Sequence, residues 1–265
     1  MPFSIESFGL SNEDSKNLIR GVALGEYSLL LGAGFSSQAV NGRGVELPTS
    51  LGLAQELKDR FTLPLEVRSA SDLPIAYEDA VYKADEAQVS DFLRRRLTGC
   101  VPSWQGILSN FAWSRVWTLN IDDLLDEVFR SRSTAQFDFL DRYHVRTPND
   151  LQIVYLHGRA NRQGKKIFSI QEYHDAIRGE GFWHTAFFSE YKERPIIVCG
   201  ASLVGEVDLA RTLRAKNESL ITQGLPSIAV VRDLTPDAEE RLRNRLGLIP
   251  INAAGGEFFD LRLRA

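Results

Sequence analysis

"SLLLGAGFSS", from Ser28 to Ser37, is an apolar run that breaks into Gly32-Ala33-Gly34 and then into serines. Such a stretch reads as a short buried strand followed by a tight turn. The first glycine permits the turn, and the second lets the backbone approach a pyrophosphate with no Cβ in the way. Ser37 stands where a GxGxxG fingerprint has its third glycine, and no clear acidic residue for a ribose follows about 20 residues on. Taken alone, the turn fits a bend with no ligand as well as it fits a nucleotide site.

Outward from this stretch the chain alternates. "SRVWTL" (114–119), "LQIVYL" (151–156), "RPIIVCG" (194–200), "PSIAVV" (226–231) and "GLIPINA" (247–253) are further short runs rich in Val and Ile. Helical patterns fall around them: "DSKNLIRGVALG" capped by Ser11 or Asn12, "DDLLDEVFR", "EGFWHTAFFSEYK", "EVDLARTLRA" and "TPDAEERLRNRL". Strands alternating with helices predict an α/β fold, a Rossmann-like parallel sheet with helices on both faces. The segment from about 50 to 111 carries only helical patterns. It opens at Thr49 or Ser50, is helical throughout from Asp72 to Thr98, and ends in a short helix after Pro102. It is expected to form a small helical lobe inserted after the first strand, within one domain spanning 1–265.

Composition narrows the function. The 265 residues carry a net charge of −4, which gives no overall electrostatic case for a nucleic-acid or membrane-surface binder. Arg94-Arg95-Arg96 and the Arg241, Arg243, Arg245 series are expected to be solvated helix faces. Cys100 and Cys199 are the only cysteines and form no CxxC, so neither a disulfide scaffold nor a zinc site is indicated. No apolar run approaches the ~20 residues that span a bilayer, and no basic-then-apolar leader opens the chain. The expected location is the cytoplasm.

Three more strand ends carry chemistry-bearing residues. "VWTLNIDDLLDEVF" sets Thr118, Asn120 and Asp122 at a strand-to-helix junction, where helix capping is the plain explanation. "IVYLHGRA" ends a strand on His157-Gly158, and "IIVCGASLVGEVDL" runs into Gly200-Ala201-Ser202-Leu203. In a parallel sheet these ends converge on one edge, where ligands bind.

The ordered set GAGxS (Gly32-Ala33-Gly34-Phe35-Ser36), TxNxD (Thr118 to Asp122), HG (His157-Gly158) and GxSL (Gly200 to Leu203) resembles the sirtuin (SIR2) superfamily. "LPTSLGLAQEL" and "VDLARTL" look like its prokaryotic SIR2-like branch found in phage-defence proteins. The resemblance implies NAD+ as the bound molecule. Gly32, Ala33, Gly34, Phe35 and Ser36 would hold the pyrophosphate. Asn120 and Asp122, flanked by Thr118 and Ile121, would line the nicotinamide and ribose pocket. His157 would be the general base, with Asn120 orienting water, and Gly200, Ser202 and Leu203 would hold the adenosine side.

The chain departs from the deacylases of that superfamily. Two cysteines cannot make their four-cysteine zinc module. Leu119 stands where deacylases usually have Gln, and the stretch after His157 lacks their peptide-binding motif. Water then replaces acyl-lysine as the expected acceptor, and the expected reaction is NAD+ hydrolysis to nicotinamide and ADP-ribose. The alternatives are an NAD-dependent protein deacylase, a nucleotide-binding module without turnover and, less well supported, a dehydrogenase. Defence relatives stay silent until activated, so a homo-oligomer, a fused sensor domain or a partner such as a helicase-like ATPase or short Argonaute is expected. On this resemblance the SIR2-like domain is expected to end about where the sequence does, with the sensor either a separate protein or part of a longer chain.

Overall fold

A computed structural model describes residues 10–139, 141, 150–162, 166–169, 171–172, 182–201, 203 and 224–262. Seven strands form one sheet: β1 (Ser28–Leu31), β2 (Val116–Thr118), β3 (Thr134–Asp138), β4 (Leu151–Tyr155), β5 (Ile196–Cys199), β6 (Ile228–Val231) and β7 (Ile249–Asn252). Their order is β3-β4-β2-β1-β5-β6-β7, and every pairing is parallel. β1, β4 and β5 are buried at every position, as short continuous apolar runs should be when helices cover both faces.

Alternation along the strands sorts the core into two layers. Leu29, Leu31, Val116, Ile153 and Ile197 point to one face. There they meet α1 (Asn12–Ala23) through Leu18 and Val22, and the C-terminal α9 (Gly255–Arg262) through Phe258 and Phe259. Leu30, Trp117, Val154 and Val198 point to the other face. That face is covered by Trp183, Phe187 and Tyr191 of α7 (Phe182–Glu193) and by Leu242 and Leu246 of α8 (Pro236–Leu246).

Between β1 and β2 come α2 (Ala33–Ser36), α3 (Ser50–Phe61), α4 (Leu73–Ala84) and α5 (Glu86–Leu97), followed by a 3-10 turn at Trp104–Asn110. The helices α3, α4 and α5 pack on one another, and their buried residues join the first core layer. Entry and exit of this segment are tied together: the Gly42 amide donates to the Thr98 carbonyl (3.1 Å), and Val40 bridges Val101.

Two expectations need correction, and two elements add to them. The sequence from 134 to 138 forms β3, a strand that no apolar run announces. It lies at the sheet edge and buries only Phe137. The stretch from 72 to 98 is two helices, broken at Asp85, whose φ of 109° no helix tolerates. The short helix expected after Pro102 is present and is of the 3-10 kind. Of the three consecutive arginines only Arg94 and Arg95 are solvated. Arg96 is largely buried, donating to Glu56 (2.7 and 2.8 Å) and to the Glu46 carbonyl (2.6 Å). The helix expected at "EVDLARTLRA" lies outside the described residues.

Candidate functional site

The four motif-bearing strands are the four central ones, adjacent in the order β4-β2-β1-β5. From β1 the chain moves to β2 on one side, then returns from β4 to place β5 on the other. The carboxyl ends of β1 and β5 therefore flank a topological switch point, where open parallel sheets open a crevice.

The glycine turn sits at that point, but its bareness serves a neighbouring turn. A Cβ on Gly32 would lie 2.5 Å from Ala201 Cα, and one on Gly34 would lie 3.0 Å from Gly200 Cα. Gly200 itself has φ +69°, and a Cβ there would fall 1.9 Å from the Phe35 nitrogen. The Gly32 amide donates to the Cys199 carbonyl (3.1 Å), Gly34 to Gly200 (2.8 Å) and Phe35 to Gly32 (2.8 Å). Of these turn amides, Ala33 N–H is the one with no acceptor among the described residues. Phe35 is core: its ring meets Trp104 edge-on at 5.3 Å.

A hydrogen-bonded chain joins this turn to the one after β2. Asn120 Nδ2 donates to the Gly32 carbonyl (2.9 Å) and to Ser36 Oγ (2.8 Å). Ser36 Oγ donates onward to Asp122 Oδ2 (2.8 Å), and Asp122 Oδ1 accepts the Leu124 amide (3.1 Å). A carbonyl can only accept, so the Gly32 contact fixes which end of the Asn120 amide is nitrogen. Both Asn120 donors are then engaged, and Oδ1 receives no hydrogen bond from the described residues. Asn120 thus offers the site an acceptor. Thr118 orients it, accepting the Asn120 amide at Oγ1 (3.0 Å) and donating to the Leu31 carbonyl (3.3 Å).

Helix capping accounts for Asp122 only in part, through its bond to the Leu124 amide, and for the Asn120 side chain not at all. The N-cap of α6 (Leu124–Val128) is Asp123, whose carboxylate instead accepts the Gly99 and Cys100 amides (2.8 and 2.9 Å) just beyond α5. Asp122 is buried, and desolvation pushes its carboxyl up to about 6; Asp123 and Asp126 add to the rise. The bonds from Ser36 and Leu124 pull the other way, because they favour the ionised form.

A cavity opens beside this chain. Ala33, Asn120, Ile121, Asp122 and His157 line its polar end together with Leu119. Leu53, Leu73 and Leu97 of the helical segment and Phe168 form the apolar wall. The wall residues carry no sequence signal distinguishing them from core leucines. Phe168 does have a structural one: it stacks on Tyr77 of α4 at 5.1 Å, bringing the chain beyond His157 against the helices. His157 is buried, and its carbonyl accepts the Ile167 amide (3.1 Å).

The structure thus gathers Ala33, Asn120, Ile121, Asp122 and His157 around one cavity. Gly32, Gly34, Ser36, Thr118 and Gly200 shape the turns behind it. Leu203 packs into the core layer under α7 and α8, and Ser202 lies outside the described residues. Both cysteines are buried, and burial pushes their thiols up, Cys199 to about 12. Among the described residues no three His, Cys, Asp or Glu side chains group as metal ligands, and no helix is long and apolar enough to cross a membrane.

The family model for the SIR2-like domain matches residues 114–251, just over half of the chain. The chain belongs to the SIR2-like domain family. The match runs from just before β2 into β7, and so includes three of the four motif strands with Asn120, Asp122 and His157. Membership points this SIR2-like protein to NAD-related chemistry. No curated protein matches the chain.

Proposed function

We propose that this SIR2-like protein hydrolyses NAD+ to nicotinamide and ADP-ribose. The observation that carries the reading is the joint lining of one cavity by His157, Asn120 and Asp122 at the carboxyl ends of β4 and β2. Breaking the nicotinamide–ribose bond leaves positive, oxocarbenium-like charge on the ribose as nicotinamide departs with the bonding pair. The Asp122 carboxylate, largely ionised at neutral pH, stabilises that charge. Asn120 Oδ1 accepts a hydrogen bond from the incoming water and orients it. His157 takes the proton the water gives up as its oxygen bonds to the ribose carbon. The apolar wall of Leu53, Leu73 and Phe168 suits the face of an aromatic ring such as nicotinamide. Ala33 N–H is the turn amide available to a phosphate oxygen.

An enzyme that consumed NAD+ without restraint would deplete its own cell. The reading therefore extends to an effector of anti-phage abortive infection, held silent until oligomerisation, a fused sensor or a partner such as a helicase-like ATPase or short Argonaute releases it. The test is to quantify nicotinamide and ADP-ribose from the purified chain over a range of protein concentrations, beside His157→Ala. Loss of a general base typically costs about 10²–10⁴-fold in rate. A folded His157→Ala variant with the parent turnover refutes the assignment, and NAD+ binding without turnover at any concentration assigns the chain to the non-catalytic class.

A further inference from the structure

The turn that carries His157 is tied to the turn that carries Asn120 and Asp122 by an ion pair outside the cavity. Gly158, with φ +83°, reverses the chain after His157. Arg159 is thereby folded back over the Tyr155 ring, 4.6 Å from guanidinium to centroid. Its Nη2 donates to both oxygens of Asp126, at 2.9 and 2.7 Å. Asp126 lies on α6, one helical turn beyond Asp122. It also accepts the Tyr155 hydroxyl at 3.3 Å. Two backbone bonds run alongside: the Leu156 amide to the Thr118 carbonyl (2.9 Å) and the Ala160 amide to the Ile121 carbonyl (2.7 Å). Along the chain His157 lies between these two bonds, and Arg159, two residues on, is buried as well.

From this arrangement we infer that Arg159 is a positioning residue. Through Asp126 it sets the imidazole of His157 against Asn120 and Asp122, and it makes no contact with substrate. The inference rests on the reading of His157 as the base. Backbone bonds hold much of the reversal, with the Gly158 amide donating to the Tyr155 carbonyl (3.3 Å) and the His157 carbonyl accepting the Ile167 amide (3.1 Å), but Gly158 itself has no side chain to resist rotation, which leaves the pitch of the turn some freedom. The side-chain tie removes that freedom. Burial of the pair does not by itself mark stability, because desolvating two charges offsets most of their attraction. Asp126 is 35% exposed, so it rehydrates when the arginine is removed, and a neutral variant at 159 keeps its fold.

The geometry also makes a specific demand. A single nitrogen of Arg159 meets both oxygens of Asp126, so the planar fork that usually separates Arg from Lys is not in use. Arg159→Met keeps an unbranched stem over Tyr155 without charge, and Arg159→Lys restores one charged nitrogen. A displacement of about 1 Å at a catalytic group costs on the order of 10²-fold. The expected result is a kcat 10- to 100-fold lower in Arg159→Met with KM for NAD+ unchanged, and most of that kcat recovered in Arg159→Lys. A second measurement needs no turnover. The ring ¹⁵N resonances of His157, assigned by their loss in His157→Ala, are expected to shift in Arg159→Met and return in Arg159→Lys. Parent-like kcat together with unmoved resonances in Arg159→Met overturns the inference, as does a loss that Lys fails to restore. If His157→Ala keeps the parent rate, the base assignment fails, and the resonances alone decide whether Arg159 positions the ring.

Discussion

Asn120→Ala separates a catalytic from a purely architectural role for the amide. The substitution removes two donated hydrogen bonds, to the Gly32 carbonyl and to Ser36 Oγ. Neither partner is left stranded: Gly32 O still accepts the Phe35 amide, and Ser36 still donates to Asp122. At about 0.5–1.5 kcal/mol net per bond, the stability loss is about 2 kcal/mol. A domain with the usual stability of roughly 5–15 kcal/mol survives that loss. Turnover should respond far more strongly. If Oδ1 orients the attacking water, its removal costs about 10²-fold or more in kcat. Combined with His157→Ala, the loss should be little greater than for either single change, because both groups act on one transition state. The assay is nicotinamide release per folded molecule, with urea unfolding run on the same samples. Parent-rate turnover by folded Asn120→Ala refutes the role, and so does a double variant whose losses multiply.

Asp122 gives a stability test with a defined sign. Its carboxyl is raised from 3.8 to about 6 in the folded protein, so the fold binds that proton more tightly than the unfolded chain does. The resulting stabilisation is full below pH 3.8 and is lost as pH rises through about 6, amounting to roughly 3 kcal/mol. Urea unfolding of the parent and Asp122→Asn from pH 4 to pH 7 should show their difference move in favour of Asn by that order, and a flat difference refutes the shift. Two turn substitutions should part company. Gly34→Val drives a Cβ toward Gly200 Cα at 3.0 Å and should lower the thermal midpoint, whereas Ala33→Phe fills the cavity and should weaken NAD+ binding by calorimetry while the fold holds. Unchanged affinity in folded Ala33→Phe removes NAD+ from this cavity.

Much of the sheet was legible because six strands present apolar runs, most of them buried along their whole length, and a run of that kind needs no partner to be read. β3 escaped because an edge strand is covered on few sides. Thr134, Ala135, Gln136 and Asp138 are only partly buried, and that alternation is too weak to mark a strand. The break at Asp85 escaped for another reason. Helix formers flank it on both sides, and only the positive φ, with Asp85 Oδ1 accepting the Gln88 amide (2.8 Å), records that a new helix starts there.

The site divides along the same line between local and distant information. Gly32, Asn120, Asp122 and His157 were visible because each closes a strand, and a polar residue immediately after a buried strand is conspicuous. Their order along the chain differs from their order in space, yet parallel pairing brings their strands together as β4-β2-β1-β5. What the sequence could not convey is what each group touches. The glycines signalled bare backbone and suggested a phosphate, but the nearest atoms to their missing Cβ positions belong to the turn after β5. Asn120 is expected to orient water, and donation to the Gly32 carbonyl and the Ser36 hydroxyl leaves it only an acceptor for that task. Ser36 was read toward the ligand, and its proton goes to Asp122. Each shift moves a polar group from direct ligand contact to holding its neighbour. Of the polar groups at the strand ends, Asn120, Asp122 and His157 line the cavity, held in place by turns that pack and bond to one another, with Thr49 and Ser50 lining it from the helical segment.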